Sequence, residues 1–462
     1  MKKTTATLSF ILVFAGAFAQ NITGDWYGLI KAGGSSLHLV FHISKSGDTY
    51  TTTLDSPDQG AKGLPTDKTT VTGDVVEIEA AKFGIKYSGI YQVDKKSING
   101  TFTQGGAIPL NLTRDNVATI AEAPAPRPQD PKDFPYKQED VVFENTKAGN
   151  RLAGTLTMPS NGKASKIVVL ISGSGPQNRN EELFNHRPFL VWSDQLTRQG
   201  IAVLRYDDRG VAKSTGVFST ATTADFADDA EGAVNFIKSR ADLKGLAIGL
   251  MGHSEGGMIA PLVASRNPSV KFVVMLAGPG IPIVQLMTKQ STDQMRLSGV
   301  PDTTVTRISE VSRNLYTALN KNPGLPTAQL KQTIDNLISQ DKRLSDAEKK
   351  NLIESSATLV SPWFRYFMGI DPASYLTKVK CPVLALNGTM DKQVDSETNL
   401  AAVKANLIKA GNKHYEIVPL DGLNHLFQKA ATGGVLEYEQ IMETVNPAAL
   451  EKVVSWINQL KF

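Results

Sequence analysis

The stretch Leu246-Ala247-Ile248-Gly249-Leu250-Met251-Gly252-His253-Ser254-Glu255-Gly256-Gly257-Met258-Ile259-Ala260 decides the fold. An apolar run leads into Gly-x-Ser-x-Gly, and a second apolar run follows. This is the pattern of a buried strand, a sharp turn carrying a serine, and a helix. A serine that attacks a carbonyl must stand exposed on such a turn. Gly252 and Gly256 remove side chains that would collide where strand and helix approach each other. The turn would also aim the N–H of Glu255 at a developing oxyanion, helped by the helix N-terminus. A bare Gly-x-Ser-x-Gly arises by chance in about one chain in five of this length. Its weight therefore rests on whether partners follow in order.

They do. Asp391 follows the apolar run Pro382-Val383-Leu384-Ala385-Leu386, and His425 follows Tyr415-Glu416-Ile417-Val418-Pro419-Leu420. Both fall where a parallel sheet presents its carboxyl ends, the edge at which open α/β sheets bind ligands. His425 is expected as the base and Asp391 as the group that orients it. Asp395 and Asp421 are alternative acids; Asp395 sits at a helix start where it would cap, and Asp421 lies close to His425. For the second oxyanion donor, the glycine-rich Ile171-Ser172-Gly173-Ser174-Gly175-Pro176 follows the first long core strand. The amide of Ser174 is the candidate, and Pro176 cannot donate.

The rest of the chain frames these residues. Strands and helices alternate from Tyr136 onward, with nearly continuous apolar strands such as Ile167–Ile171 and Ile201–Tyr206, so a largely parallel sheet covered on both faces is expected. About a hundred residues between the strands at Lys271–Leu276 and Pro382–Leu386 have helical periodicity instead, over Thr303–Asn320, Thr327–Gln340 and Asp346–Ala357. The last opens with a Ser345-x-x-Glu348 capping box, and the segment 281–377 reads as a helical lid. Residues 21–114 alternate polar and apolar in short runs with turn signals, which predicts a small all-β domain; Gly24-Asp25-Trp26-Tyr27-Gly28 has a lipocalin-like look. Residues 115–135 include Ala123-Pro124-Ala125-Pro126-Arg127-Pro128 and read as a semi-rigid linker, so the catalytic domain spans 136–462. Residues 1–19, with Lys2, Lys3, an apolar core and Ala17-Phe18-Ala19, read as a bacterial signal peptide cut before Gln20. A periplasmic or secreted protein without an integral membrane span after processing is the expectation.

Composition narrows the partners. The net charge of +4 is small for 462 residues, and no basic stripe or zinc-like Cys/His cluster stands out, which argues against nucleic acid. Cys381 is the single cysteine, so no internal disulfide can form, and it reads as a buried small hydrophobe. His38 and His42 would share a strand face but lie roughly 13 Å apart, too far to chelate one metal. His253 is expected under the turn and His414 at the surface; His186 is read as structural, with a place at the site entrance as the alternative. Trp363, Phe364, Tyr366 and Phe367 read as core packing more than as an acyl pocket. No metal or organic cofactor is required.

At these motifs the chain resembles the α/β-hydrolase family, closest to the branch of serine aminopeptidase-like and lysophospholipase-like esterases. The resemblance covers about Tyr136 to Phe462 and rests on Ser172–Pro176, Arg205-Tyr206-Asp207-Asp208-Arg209-Gly210, Gly252–Gly257, the Gly388-x-x-Asp391-x-x-Val394 loop and Gly422-Leu423-Asn424-His425. It implies that Asp207, Asp208 and Arg209 brace the site through ion pairs. One departure is Ala212, where relatives usually carry glycine. The leading expectation is a serine carboxylesterase acting on small or medium acyl esters. A serine exopeptidase using lid carboxylates (Glu310, Glu348 or Glu354) on short peptides is the alternative. A non-catalytic carbohydrate- or surface-binding protein is the reading of another class.

Overall fold

In the computed structural model the chain divides into two compact units, separated between Glu122 and Ala123. The described residues are 22–32, 35–57, 61–93, 96–104, 107–115, 127–322 and 324–462. The proposed signal peptide, residues 1–19, and residues 116–126 of the proposed linker lie outside them.

The N-terminal unit is an antiparallel sheet of nine strands that closes on itself through pairing of Ser35–Ser46 with Thr49–Ser56. Alternation fills its interior with Trp26, Phe41, Ile78, Tyr87, Ile98 and Leu112, all essentially inaccessible. Trp26 donates to the Ile22 carbonyl at 2.7 Å, and the Arg114 guanidinium lies 3.8 Å over its ring. His42 stands between two carboxylates, Asp25 at 2.7 Å and Asp55 at 3.2 Å. Burial acts to lower its pKa, but these two acids outweigh that and raise it.

The second unit holds an eight-stranded sheet, whose strands are numbered here β1 (Lys137–Asn145), β2 (Asn150–Met158), β3 (Lys166–Ile171), β4 (Ala202–Tyr206), β5 (Ala247–His253), β6 (Val270–Leu276), β7 (Val383–Gly388) and β8 (Tyr415–Leu420). Their order is β1-β2-β4-β3-β5-β6-β7-β8. β1 and β2 form an antiparallel hairpin, β2 joins β4 antiparallel, and all later pairs are parallel. The chain runs outward from β3 to β4 and then returns to β5 on β3's other side. That reversal makes the ends of β3 and β5 the switch point where such sheets bind ligands.

Period-two burial divides each central strand between two cores. Ile167, Val169 and Ile171 pack on the side of helices α2 (Thr223–Ser239) and α3 (Glu255–Ala264). Val168 and Leu170 pack on the side of α1 (Pro188–Arg198), where Phe189, Trp192 and Leu196 are buried. Between β6 and β7 the lid comprises α4 (Ile283–Leu297), α5 (Asp302–Lys321), α6 (Thr327–Gln340), α7 (Asp346–Leu359), α8 (Pro362–Met368) and α9 (Ala373–Leu376). Three of these, α5, α6 and α7, match the periodicity read from sequence; α4, α8 and α9 were not assigned there. Both bonds of the Ser345–Glu348 capping box are present.

The close of the Pro-rich segment is not free linker. Arg127 is buried and donates to the carbonyls of Phe184 (3.2 Å), Asn185 (3.1 Å) and Glu439 (2.6 Å). Asp130 is buried against Arg187.

Candidate active site

β5 delivers Ser254 with φ 54° and ψ −116°, a backbone region that L-residues other than glycine rarely adopt. The glycines on either side permit it. A Cβ on Gly252 would stand 1.9 Å from the Gly256 carbonyl oxygen, and one on Gly256 would stand 2.0 Å from that of Ile171. β3, β5 and α3 can therefore meet only because both positions lack side chains. Gly256→Ala is expected to lower unfolding stability by about 1–3 kcal/mol or more, read as a fall in the urea midpoint with unchanged m-value.

His425 and Asp391 are brought together. His425 Nδ1 lies 2.8 Å from Asp391 Oδ2, with both side chains almost wholly buried. Asp391 Oδ1 accepts from the amides of Gln393 (2.7 Å) and Val394 (2.9 Å), which orients the carboxylate. Gly388 admits this loop: a Cβ there would meet the Leu423 carbonyl at 2.0 Å. The rival acids stand elsewhere. Asp395 caps helix α10 (Ser396–Lys409) by accepting from the Thr398 amide at 3.0 Å, and Asp421 is exposed beside Thr389.

Ser254, His425, Ser174 and Glu255 all line one cavity of about 270 Å³. Glu255 begins α3, and the first amides of a helix have no acceptor within it. The loop bearing Ser174 follows β3. Its neighbour Gly173 has its own amide occupied, donating to Glu181 Oε1 at 2.8 Å. Leu286, Met287, Trp363, Phe367, Val394 and Leu426 supply the apolar wall. Trp363 and Phe367 stack with centroids 4.9 Å apart and planes 17° apart. The core reading holds for Phe364 and Phe367, which are buried in the core, and for Trp363, which packs against it; Trp363 and Phe367 also line the cavity, while Tyr366 is exposed. α4, whose pattern sequence reading passed over, supplies Leu286 and Met287.

His253 lies under the elbow and is engaged at both nitrogens. Nδ1 is 2.9 Å from Glu181 Oε1 and Nε2 is 3.0 Å from the His425 carbonyl. A carbonyl can only accept, and so can an ionised carboxylate, so the doubly protonated ring satisfies both. Burial acts to lower its pKa, but the Glu181 charge and hydrogen bond raise it overall. A raised histidine contributes stability that is complete below its ordinary value of 6.5 and is lost as pH climbs through the folded value. Accordingly, the stability advantage of the natural chain over Glu181→Gln is expected to be largest near about pH 6 and to shrink as pH rises, measured by urea unfolding across that range.

Glu181 was missed in the sequence because its loop carries no recognisable motif. The structure marks it by strain: Glu181, Phe184 and Asn185 have φ of 52°, 51° and 60°. His186 in the same loop is buried, bonded to Thr444 Oγ1 (2.9 Å) and the Tyr438 carbonyl (3.0 Å), a structural placement. In the adjoining loop Asp207 pairs with Arg179 at 2.7 Å and Arg209 with Asp229 at 2.6 Å. Asp208 departs from the ion-pair expectation: it accepts from Ser172 Oγ (2.8 Å) and the Gln177 amide (2.9 Å), and burial pushes its pKa up to about 8. Ala212 has φ 47°, the conformation glycine would hold without strain. Burial pushes the half-buried Cys381 thiol up to about 12, away from any nucleophilic role. Among the described residues, no group of three or more His, Cys, Asp or Glu is placed to hold a metal ion, and no helix is long and apolar enough to cross a membrane.

Residues 189–428, just over half of the chain, match the family described as serine aminopeptidase, S33. Esterase EstD of Thermotoga maritima is 27% identical over 312 residues, covering 67% of this chain and 64% of that protein. The match thus spans somewhat less than two thirds of that relative's length. Among solved structures, the Pyrococcus furiosus esterase Pf2001 aligns with TM-score 0.44 and 17% identity over 71% of this chain and 93% of its own. Est1E from Butyrivibrio proteoclasticus with bound ferulic acid aligns with TM-score 0.41 and 18% identity, over 69% and 98%.

Proposed function

The chain belongs to the serine aminopeptidase S33 family of α/β-hydrolases, and on that premise we propose that it is an exported carboxylesterase hydrolysing small or medium neutral acyl esters through Ser254, His425 and Asp391. The observation that carries this reading is the 2.8 Å contact of His425 Nδ1 with Asp391 Oδ2, on a cavity that also holds Ser254 at a helix N-terminus. In the proposed reaction His425 Nε2 takes the Ser254 hydroxyl proton as the oxygen attacks the ester carbonyl. Asp391 holds the tautomer and stabilises the imidazolium. The amides of Glu255 and Ser174 receive the oxyanion. His425 then protonates the departing alcohol, and water repeats the sequence to free the acid and Ser254.

The cavity supports the substrate class. At about 270 Å³ it lies just below the roughly 300–1,000 Å³ of small-molecule sites, the scale of a small ligand. Its wall is aliphatic and aromatic, and the ionisable side chains lining it, Glu181, Glu255 and two histidines, include no lysine or arginine to pair with a carboxylate-bearing acyl group. The exopeptidase alternative is less favoured, because none of its candidate amine ligands lines the cavity: Glu348 pairs with Arg307 at 2.8 Å and closes a helix cap, Glu310 is exposed beside Arg343 at 3.1 Å, and Glu354 is exposed.

Ser254→Ala should lose fluorophosphonate labelling and at least about 10⁴-fold of p-nitrophenyl butyrate hydrolysis, and Asp391→Asn should lower kcat by about 10⁴-fold while leaving KM near its original value. Equal rates for Ser254→Ala and the natural chain would refute the reading. Export is tested separately: periplasmic or culture-fluid protein beginning at Gln20 by mass spectrometry supports it, and cytoplasmic protein with residues 1–19 intact refutes it.

A further inference from the structure

The carboxylate of Glu255 has no part in the chemistry just described, where only its amide acts. It is 2% exposed, and burial raises its pKa, opposed by hydrogen bonds from Thr223, Ser174 and Trp363. Oε2 accepts from Ser174 Oγ at 2.7 Å and Oε1 from Thr223 Oγ1 at 2.6 Å. The Trp363 indole N–H faces both oxygens, at 3.0 and 3.1 Å. One carboxylate thus joins three elements: the loop after β3, the start of α2, and the lid helix α8.

The loop after β3 shows why this matters. Each of its first three residues is tied to a different buried carboxylate: Ser172 Oγ to Asp208, the Gly173 amide to Glu181, and Ser174 Oγ to Glu255. These ties leave the Ser174 backbone N–H for substrate. Of the three acids, Glu255 alone is itself an oxyanion donor and alone holds a cavity-wall aromatic. Its side chain fixes the residue that carries the second donor, so the spacing between the two amides depends on it. An oxyanion hole acts through donors preorganised to within a few tenths of an ångström, so that spacing governs kcat. The same oxygens hold an aromatic ring that lines the cavity.

Resting on the esterase reading, we propose that the Glu255 carboxylate is a positioning residue that sets the oxyanion hole and the Trp363 wall together, coupling turnover to acyl selection. Chemically it must be an acceptor at both oxygens. Glu255→Gln preserves size but turns one acceptor into an N–H₂ group facing hydroxyl and indole donors.

The test uses the full chain with p-nitrophenyl acetate, butyrate and octanoate, rates being normalised to Ser254 titrated by fluorophosphonate. Glu255→Gln is expected to lower kcat by about 10- to 100-fold and to flatten the chain-length preference. Ser174→Ala should lower kcat alone, and Trp363→Phe should change KM across the ester series alone. Combining Ser174→Ala with Trp363→Phe should be non-additive, and that coupling should vanish in the Glu255→Gln background. Wild-type kcat and chain-length profile in Glu255→Gln would overturn the proposal, as would coupling that persists without the carboxylate. Should Glu255→Gln not fold, additive effects of the other two changes would overturn it, and non-additive effects would support it. A natural chain that neither labels at Ser254 nor cleaves any of the esters overturns the esterase reading itself, a different result from an active chain indifferent to Glu255.

Discussion

The backbone of Gly256 lies against the carbonyl of Ile171, and that of Gly252 against the carbonyl of Gly256, closer than any side chain would permit. Everything functional in this molecule depends on that approach. It brings the ends of two adjacent parallel strands and the start of α3 to one point and forces Ser254 into a left-handed conformation. It also sets the Ser174 loop beside the elbow, so that the strand end carrying the nucleophile and the strand end carrying a candidate oxyanion donor are neighbours. A larger residue at either glycine would separate strand from helix and disperse these groups.

Around that point the structure uses carboxylates as loop anchors. Asp391 gathers two amides and His425; Glu181 gathers the Gly173 amide and His253; Asp208 holds Ser172 and Gln177; Glu255 holds Ser174 and Trp363. Loops that leave a sheet carry backbone groups and hydroxyls that cannot be left unbonded when buried, and an acceptor-only group satisfies several at once. The cost is buried negative charge. At Glu255 and Asp208 burial outweighs the opposing hydrogen bonds and raises the pKa, and at Glu181 the facing His253 has its own pKa raised. Apolar side chains from α4 and α8 then close the cavity over Ser254.

Much of this was legible in residue order. The elbow announces itself because its steric demand falls on neighbours in sequence. Asp391 and His425 are readable because each follows a continuous apolar strand, and the helix caps at Ser345 and Asp395 because a cap bonds within three residues. The lid's α5, α6 and α7 show a clear 3.6 period. α4 was passed over because its cavity-facing side mixes Leu286 and Met287 with Gln290, and α8 because seven residues, five of them aromatic or methionine, read as core.

Sequence alone determined the two-part organisation, the α/β sheet with its elbow, and the residues proposed for catalysis, since strand period, glycine placement and cap chemistry act over a few positions and leave a local record. Tertiary structure alone decided the groups that hold those residues in register and shape the cavity. Glu181 meets His253 across 72 positions, Glu255 meets Trp363 across 108, and Arg127 reaches Glu439 across 312. A hydrogen bond between segments so far apart depends on how helices and loops pack in space, and packing leaves no periodic or spacing signal in the chain.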